Sequence, residues 1–137
     1  MGFSYAPLRY PDITMTRTAL LLAAGLGFLG VLAGTFGAHG LDGRVDPQDL
    51  PTYETGVRYL MVHALALLAV APVLPRLGPR PAAAILILWP LGSLIFFGTL
   101  AALTLTGLRW LGAITPLGGL CFLAGWTTLA LASRRYR

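Results

Sequence analysis

The sequence has no lysine, a single cysteine and few charges of any kind. Only 11% of its 137 residues are Asp, Glu, Lys or Arg, against roughly 25% in a soluble domain. A water-soluble fold of this length has too small an interior to hide 56% hydrophobic residues. That excludes a cytosolic enzyme and a disordered tail. The lone Cys121 excludes an intrachain disulfide, a disulfide-rich secreted module and a multi-cysteine zinc site. Lying in an apolar run, it reads as a small buried filler. The formal charge of +5 comes entirely from arginine. A basic balance can mark a nucleic-acid binder, but these arginines are scattered between apolar runs and form no stripe, so no nucleic acid is expected. What the chain does have is long apolar stretches. The composition is that of an integral membrane protein whose solvent is the lipid bilayer.

Four stretches reach membrane length, at about residues 18–39, 52–74, 82–106 and 112–133. The first holds 21 residues without a charge, 18–38, about 31 Å of helix and the thickness of a hydrocarbon core. The second is less clean. It carries His63 and ends in a cluster of prolines, and its helix is predicted to begin near Asp49, a natural cap, with Glu54 and Arg58 among the headgroups. The third is long enough to tilt, and Pro90 is expected to kink it. In the fourth, Thr115-Pro116 reads as a helix start with threonine at the cap. The predicted fold is all-α, an integral membrane four-helix bundle of up-down topology.

Arginine placement orients it. Arg9, Arg17, Arg76, Arg80, Arg134, Arg135 and Arg137 share one side, and Arg44, Arg58 and Arg109 the other, which predicts both termini in the cytoplasm. Every acid except Asp12 then falls on the outer side. Trp110 and Tyr53 suit an outer aromatic belt, and Tyr136 an inner one. An uncleaved first helix is expected rather than a signal peptide, because no good A-x-A site follows it. Residues 1–17 read as a cytoplasmic segment, with 1–14 an extension ahead of Met15, and 134–137 as a basic tail.

Ala23, Gly27, Gly30, Gly34 and Gly37 are spaced by 4, 3, 4 and 3, a heptad-type seam of small residues that lets helices approach closely. In the fourth stretch Gly112 and Gly119, and Gly118 and Gly125, are seven apart. These spacings predict that the first and fourth helices pack together, in one subunit or across a dimer.

Polar residues at membrane depth are functional candidates by default. His39 closes the first helix. Thr55, Tyr59 and His63, at i, i+4 and i+8, form one stripe of the second. With Thr104, Thr106 and Thr115 they predict a polar patch in the outer half of the bundle. Three uses are open. The first is an interhelical hydrogen-bond network, His63 to a threonine or carbonyl on a neighbour. The second is a proton or small-solute path along His63 and Tyr59. The third is a haem or metal bound by His39 and His63, whose predicted depths differ by about 9 Å, an awkward pairing. No carboxylate or thiol shares a helical face with them at depth, so no cofactor or metal is assigned. There is no H-E-x-x-H, no G-x-S-x-G and no phosphate loop, and Ser93 has no histidine predicted near its depth. A non-enzyme is expected.

The run Gly34-Thr35-Phe36-Gly37-Ala38-His39-Gly40-Leu41 resembles the G-A-F-G-A-H-x-L signature of the DUF423 (UPF0382) family of small bacterial inner-membrane proteins, with a related vertebrate group known as transmembrane protein 256. Thr55-Gly56-Val57-Arg58-Tyr59 followed by His63-Ala64-Leu65-Ala66 is similar to its T-G-x-x-Y-x-x-x-H-x-L-A element. Thr115-Pro116-Leu117-Gly118-Gly119 and Phe122-Leu123-Ala124-Gly125-Trp126 resemble T-P-x-G-G and F-L-x-G-W. Phe96-Phe97-Gly98-Thr99-Leu100-Ala101 departs from the F-S-G-S-L-Y of many members, so no role of those hydroxyls carries over. The resemblance implies a four-helix protein of the bacterial cytoplasmic membrane and no activity. Of the functions left open, the leading one is a homo-oligomer or small subunit of a membrane complex.

Overall fold

The structure, a computed structural model, describes residues 13–134. The expectations placed on Arg9, Asp12, Arg135, Tyr136 and Arg137 lie outside them. The described residues form helices and no strand: α1 (Ile13–Gly40), α2 (Leu50–Val70), a single turn α3 (Leu74–Leu77), α4 (Pro79–Thr106) and α5 (Thr115–Ser133), with a 3-10 turn over Arg109–Ala113.

The helix ends follow local chemistry. α1 is already helical at Ile13, the first described residue, five residues before the predicted span. Its first turn has something to lie against: the Thr16 hydroxyl donates to the Ala71 carbonyl at 3.2 Å. α2 stops at Val70 rather than 74: Ala71 keeps helical angles and its N–H still reaches the Leu67 carbonyl, but Pro72 brings no N–H to continue the ladder. α4 begins at Pro79 with Pro81 in the same turn, where a missing N–H leaves nothing unpaired. It runs unbroken through Pro90 and ends at Gly107, whose φ of 71° and N–H to the Leu103 carbonyl close the last turn.

Among the described residues, three elements are long and apolar enough to cross a membrane: α1, α4, and the 3-10 turn with α5. α2 is 21 residues, about 31 Å, but Glu54 and Arg58 lower its hydropathy.

Neighbours in sequence are neighbours in space: α1 packs on α2, α2 on α4, and α4 on α5. This corrects one form of the predicted pairing of the first and fourth helices, that within one subunit, because α1 and α5 of the same chain are not a packed pair. The seam on α1 is real but shifted. Its buried line is Ala19, Ala23, Leu26, Gly30, Ala33 and Gly37, spaced 4, 3, 4, 3 and 4, and it faces α2. Gly30 lies under the Met61 side chain, Gly34 against Val57, and Gly37 under the Tyr53 ring. Gly27 makes no close approach within this chain, where a Cβ would meet nothing within 4 Å.

On α5, Gly118 and Gly125 face α4. A Cβ on Gly118 would stand 2.7 Å from the Phe96 amide nitrogen and 2.9 Å from the Gly92 carbonyl, so the two backbones touch there. Gly119, next to it but turned away, meets nothing. The central core gathers Leu60 and Leu67 of α2, Ile85 and Trp89 of α4, Phe122 of α5 and Ala19 of α1.

Candidate functional site

The polar candidate best engaged with other helices is His63. The inward face of α2 holds it buried at 2% exposure. Its Nδ1 lies 2.9 Å from the Tyr59 carbonyl, one turn back. Its Nε2 receives the Trp126 indole N–H of α5 at 3.2 Å. An indole nitrogen can only donate, so Nε2 is the acceptor and Nδ1 carries the proton. The two partners therefore assign the neutral Nδ1–H tautomer.

The ring is also clamped from its faces and edges. It stacks on Phe122, centroids 3.6 Å apart and 9° from parallel. Trp89 and Trp126 approach at 6.0 and 6.2 Å in edge geometry. Tyr59, its ring near parallel to the imidazole at 6.3 Å, lies beside Phe122 rather than across from it, and packs on Phe96 and Phe122. Three helices thus contribute one aromatic cluster around one imidazole. Trp89 is fully buried, and its Nε1 has no hydrogen-bond partner among the described residues. It points at Gly125, where any Cβ would collide with the indole.

The remaining candidates are not brought into this cluster. Thr115 bonds the Thr99 hydroxyl at 2.8 Å across α4 and α5. It is the first residue of α5 rather than its cap: Ile114 holds the cap position and no side chain caps the helix. A hydroxyl on the neighbouring helix has replaced the backbone amide as its partner. Thr55 turns back to its own Pro51 carbonyl. Thr106 does the same with Ala102. His39 is exposed at the end of α1. It lies beyond Gly37, which faces Tyr53, and Tyr53 is ten residues from His63 on α2. The two histidines are therefore separated by more than about 15 Å along the bundle, not 9 Å.

Two further expectations change. Tyr53 is not an outer-belt residue. It is buried at 3% exposure, and its hydroxyl donates to the Ala33 carbonyl of α1 at 3.0 Å. Gly37 leaves the space its ring occupies. Nor is the polar set confined to the outer half. His63 lies thirteen residues into α2, about 20 Å along a helix of about 31 Å. It is also level with Trp89, one turn from Ser93, so a histidine does lie near that serine. The Ser93 hydroxyl, however, donates to the Trp89 carbonyl at 2.8 Å.

At the end holding the α1–α2 and α4–α5 connections, Arg109 pairs with the buried carboxylate of Asp49 at 2.6 Å. Thr104 donates to the Asp49 backbone carbonyl at 3.2 Å. Asp49 holds the cap position predicted for it, but its carboxylate goes to the arginine rather than to the helix amides. Cys121 is half-buried, with its Cβ against Gly92.

Sequence reasoning missed Trp126, Trp89 and Phe122 as the setting of His63. The available signal was chemical: a tryptophan placed inside a bundle has an N–H that needs an acceptor. The arrangement fixes helix register. Both ring nitrogens of His63 are engaged, and a metal or solute would have to displace one of those bonds.

Comparison with known proteins agrees with the architecture. The family model described as "Protein of unknown function (DUF423)" matches residues 33–119. The chain is 39% identical over 123 residues to the UPF0382 membrane protein YwdK of Bacillus subtilis (strain 168), covering 88% of this chain and 98% of that relative. It is 39% identical over 120 residues to a UPF0382 membrane protein of Haemophilus influenzae, covering 87% and 95%. It is 34% identical over 127 residues to the UPF0382 inner membrane protein YgdD of Escherichia coli (strain K12), covering 89% and 93%. No solved structure matches. With three helices able to cross a bilayer and relatives matched over almost their whole length, the chain belongs to the DUF423 (UPF0382) family of bacterial cytoplasmic-membrane proteins.

Proposed function

We propose that the chain is a four-span, non-enzymatic membrane bundle with both termini in the cytoplasm, and that it works through assembly, as a homo-oligomer or a subunit of a larger membrane complex. The observation that carries the fourth span is the way α2 is tied to α1 at both ends. Tyr53, in the first turn of α2, bonds the Ala33 carbonyl, and Ala71, just past its last turn, accepts from Thr16. α1 crosses the membrane, so an antiparallel partner matched to it over that length crosses too. Glu54 and Arg58 then sit near the headgroups, within the first turns, where charged side chains can reach water.

The structural reading of the polar residues rests on their partners. Tyr53, His63, Thr99, Thr104 and Thr115 each reach another helix or its cap residue. Interhelical bonds of this kind contribute about 0.6–2 kcal/mol each in a membrane. The face tested for assembly is the outer edge of α1, where Leu21, Phe28, Val31 and Leu32 are exposed. Cross-linking in native membranes from a cysteine at Phe28 tests this. A discrete adduct, either twice the mass of the chain or with one repeated partner, is expected. Purely monomeric protein at every cross-linker length contradicts assembly through α1.

A further inference from the structure

At the opposite end from the Asp49–Arg109 pair lies a cleft of ≈ 850 Å³. The α3–α4 junction forms one wall with Leu77, Pro79 and Arg80, and the last two turns of α5 form the other with Thr128, Leu131 and Arg134. Arg80 and Arg134 are exposed, and neither makes an ion pair among the described residues. The described carboxylates, Asp42, Asp46, Asp49 and Glu54, all belong to the other end. The site is therefore doubly cationic with no described counter-charge. Pro79 and Pro81 have no N–H, so the first turn of α4 offers few amides and the arginine side chains must do the recognition.

The lower wall is apolar. From Leu131 an exposed strip continues along one face of α5 through Ala124, Leu120 and Leu117 toward the other end of the helix. A cationic mouth above a lipid-facing apolar strip matches one chemistry: a phosphate headgroup with acyl chains attached. The geometry points to this cleft as a binding site for an anionic phospholipid, its phosphate held between Arg80 and Arg134 and an acyl chain laid along α5. Guanidinium groups suit this ligand because they present paired donors to phosphate oxygens. Basic clefts between helices at a membrane surface are a known means of lipid recognition. The site requires this end of α4 and α5 to lie at the headgroups, and does not depend on which side of the membrane that is.

The test uses the full chain purified in a zwitterionic detergent, titrated with dioleoyl phosphatidylglycerol or dioleoyl phosphatidylcholine. Bound lipid is counted by native mass spectrometry. The phosphatidylglycerol adduct should form at much lower concentration than the phosphatidylcholine adduct. Arg80→Gln with Arg134→Gln should weaken it roughly thirtyfold. Arg17→Gln removes a charge from the same end outside the cleft and should weaken it less than about fivefold. Arg80→Lys with Arg134→Lys should retain most binding. Equal affinity for the two lipids overturns the proposal, as does equal loss in the cleft and Arg17 variants. Displacement of the lipid by millimolar inorganic phosphate would make the cleft a free-anion site and overturns the lipid assignment. Because micelles have no sides, none of these results depends on the topology proposed above.

Discussion

The two helix pairs, α1–α2 and α4–α5, both place glycine at their contacts and use it differently. On α1 the glycines make room for α2 side chains: Gly30 for Met61, Gly34 for Val57 and Gly37 for Tyr53. On α5 Gly118 lies directly on the α4 backbone, and Gly125 on the rigid indole of Trp89. A thioether or an isopropyl group can turn aside, whereas a helix backbone cannot move without carrying the whole helix. Seven-residue spacing in the sequence therefore covers an adjustable contact and a fixed one. The fixed pair is also where the His63 cluster is built, through Trp89 on α4 and Phe122 and Trp126 on α5.

Substitutions at the two seams should separate these cases. Gly118→Leu should cause the largest loss, at least about 3 kcal/mol, because the new side chain must displace the Phe96 amide and the Gly92 carbonyl. Thermal unfolding in detergent reads this directly, and a variant that melts like the parent would show that the backbones are not in contact. Next comes His63→Leu, which leaves the Trp126 N–H without its acceptor. A loss of about 1–2 kcal/mol is expected. Trp126→Phe in the same chain should recover part of it, because the orphaned donor is then gone. Full additivity of the two changes would remove the bond from the account.

At the connecting end, Arg109→Gln should cost about 1 kcal/mol: the arginine side chain is 67% exposed and screened by water, but the Asp49 carboxylate it leaves is only 7% exposed. The gap between variant and parent should shrink as salt is raised. Gly34→Ala should be the mildest, within about 0.5 kcal/mol of the parent. Its Cβ would meet the Val57 methyl at 3.6 Å, an ordinary contact. If Gly34→Ala and Gly118→Ala were to cost the same, the distinction between the two seams would fail.

Much of the frame was legible in the sequence because its causes are local. Charge-free runs of about 20 residues and the proline after Thr115 mark helices without knowledge of their neighbours. Asp49 could be placed at the start of α2 for the same reason. Partners were not legible. A 4-3-4-3 spacing identifies a face of α1 but not the helix opposite it, and a shift of one position was enough to include Gly27 and miss Leu26 and Ala33. Gly118 and Gly119 are adjacent and chemically identical, and only rotation about α5 decides that one is packed and the other is not.

The site divides in the same way. His63 was visible as a polar group at depth, but its acceptor role depends on Trp126, 63 residues away in sequence. Tyr53 was assigned to a membrane surface by its amphipathic character, whereas Gly37 on the facing helix makes a cavity for its ring. Thr115 has the local chemistry of a cap, and Thr99 on α4 diverts its hydroxyl. In each instance a long-range partner outcompeted the local preference.

The central claim is that α2 crosses the membrane, making the number of crossings even. Placing reporters of known sidedness at the N-terminus and the C-terminus of the full chain in living cells tests it most directly. The account predicts that both report the cytoplasm. Termini on opposite faces of the membrane would contradict it, reducing α2 to a helix lying at the surface.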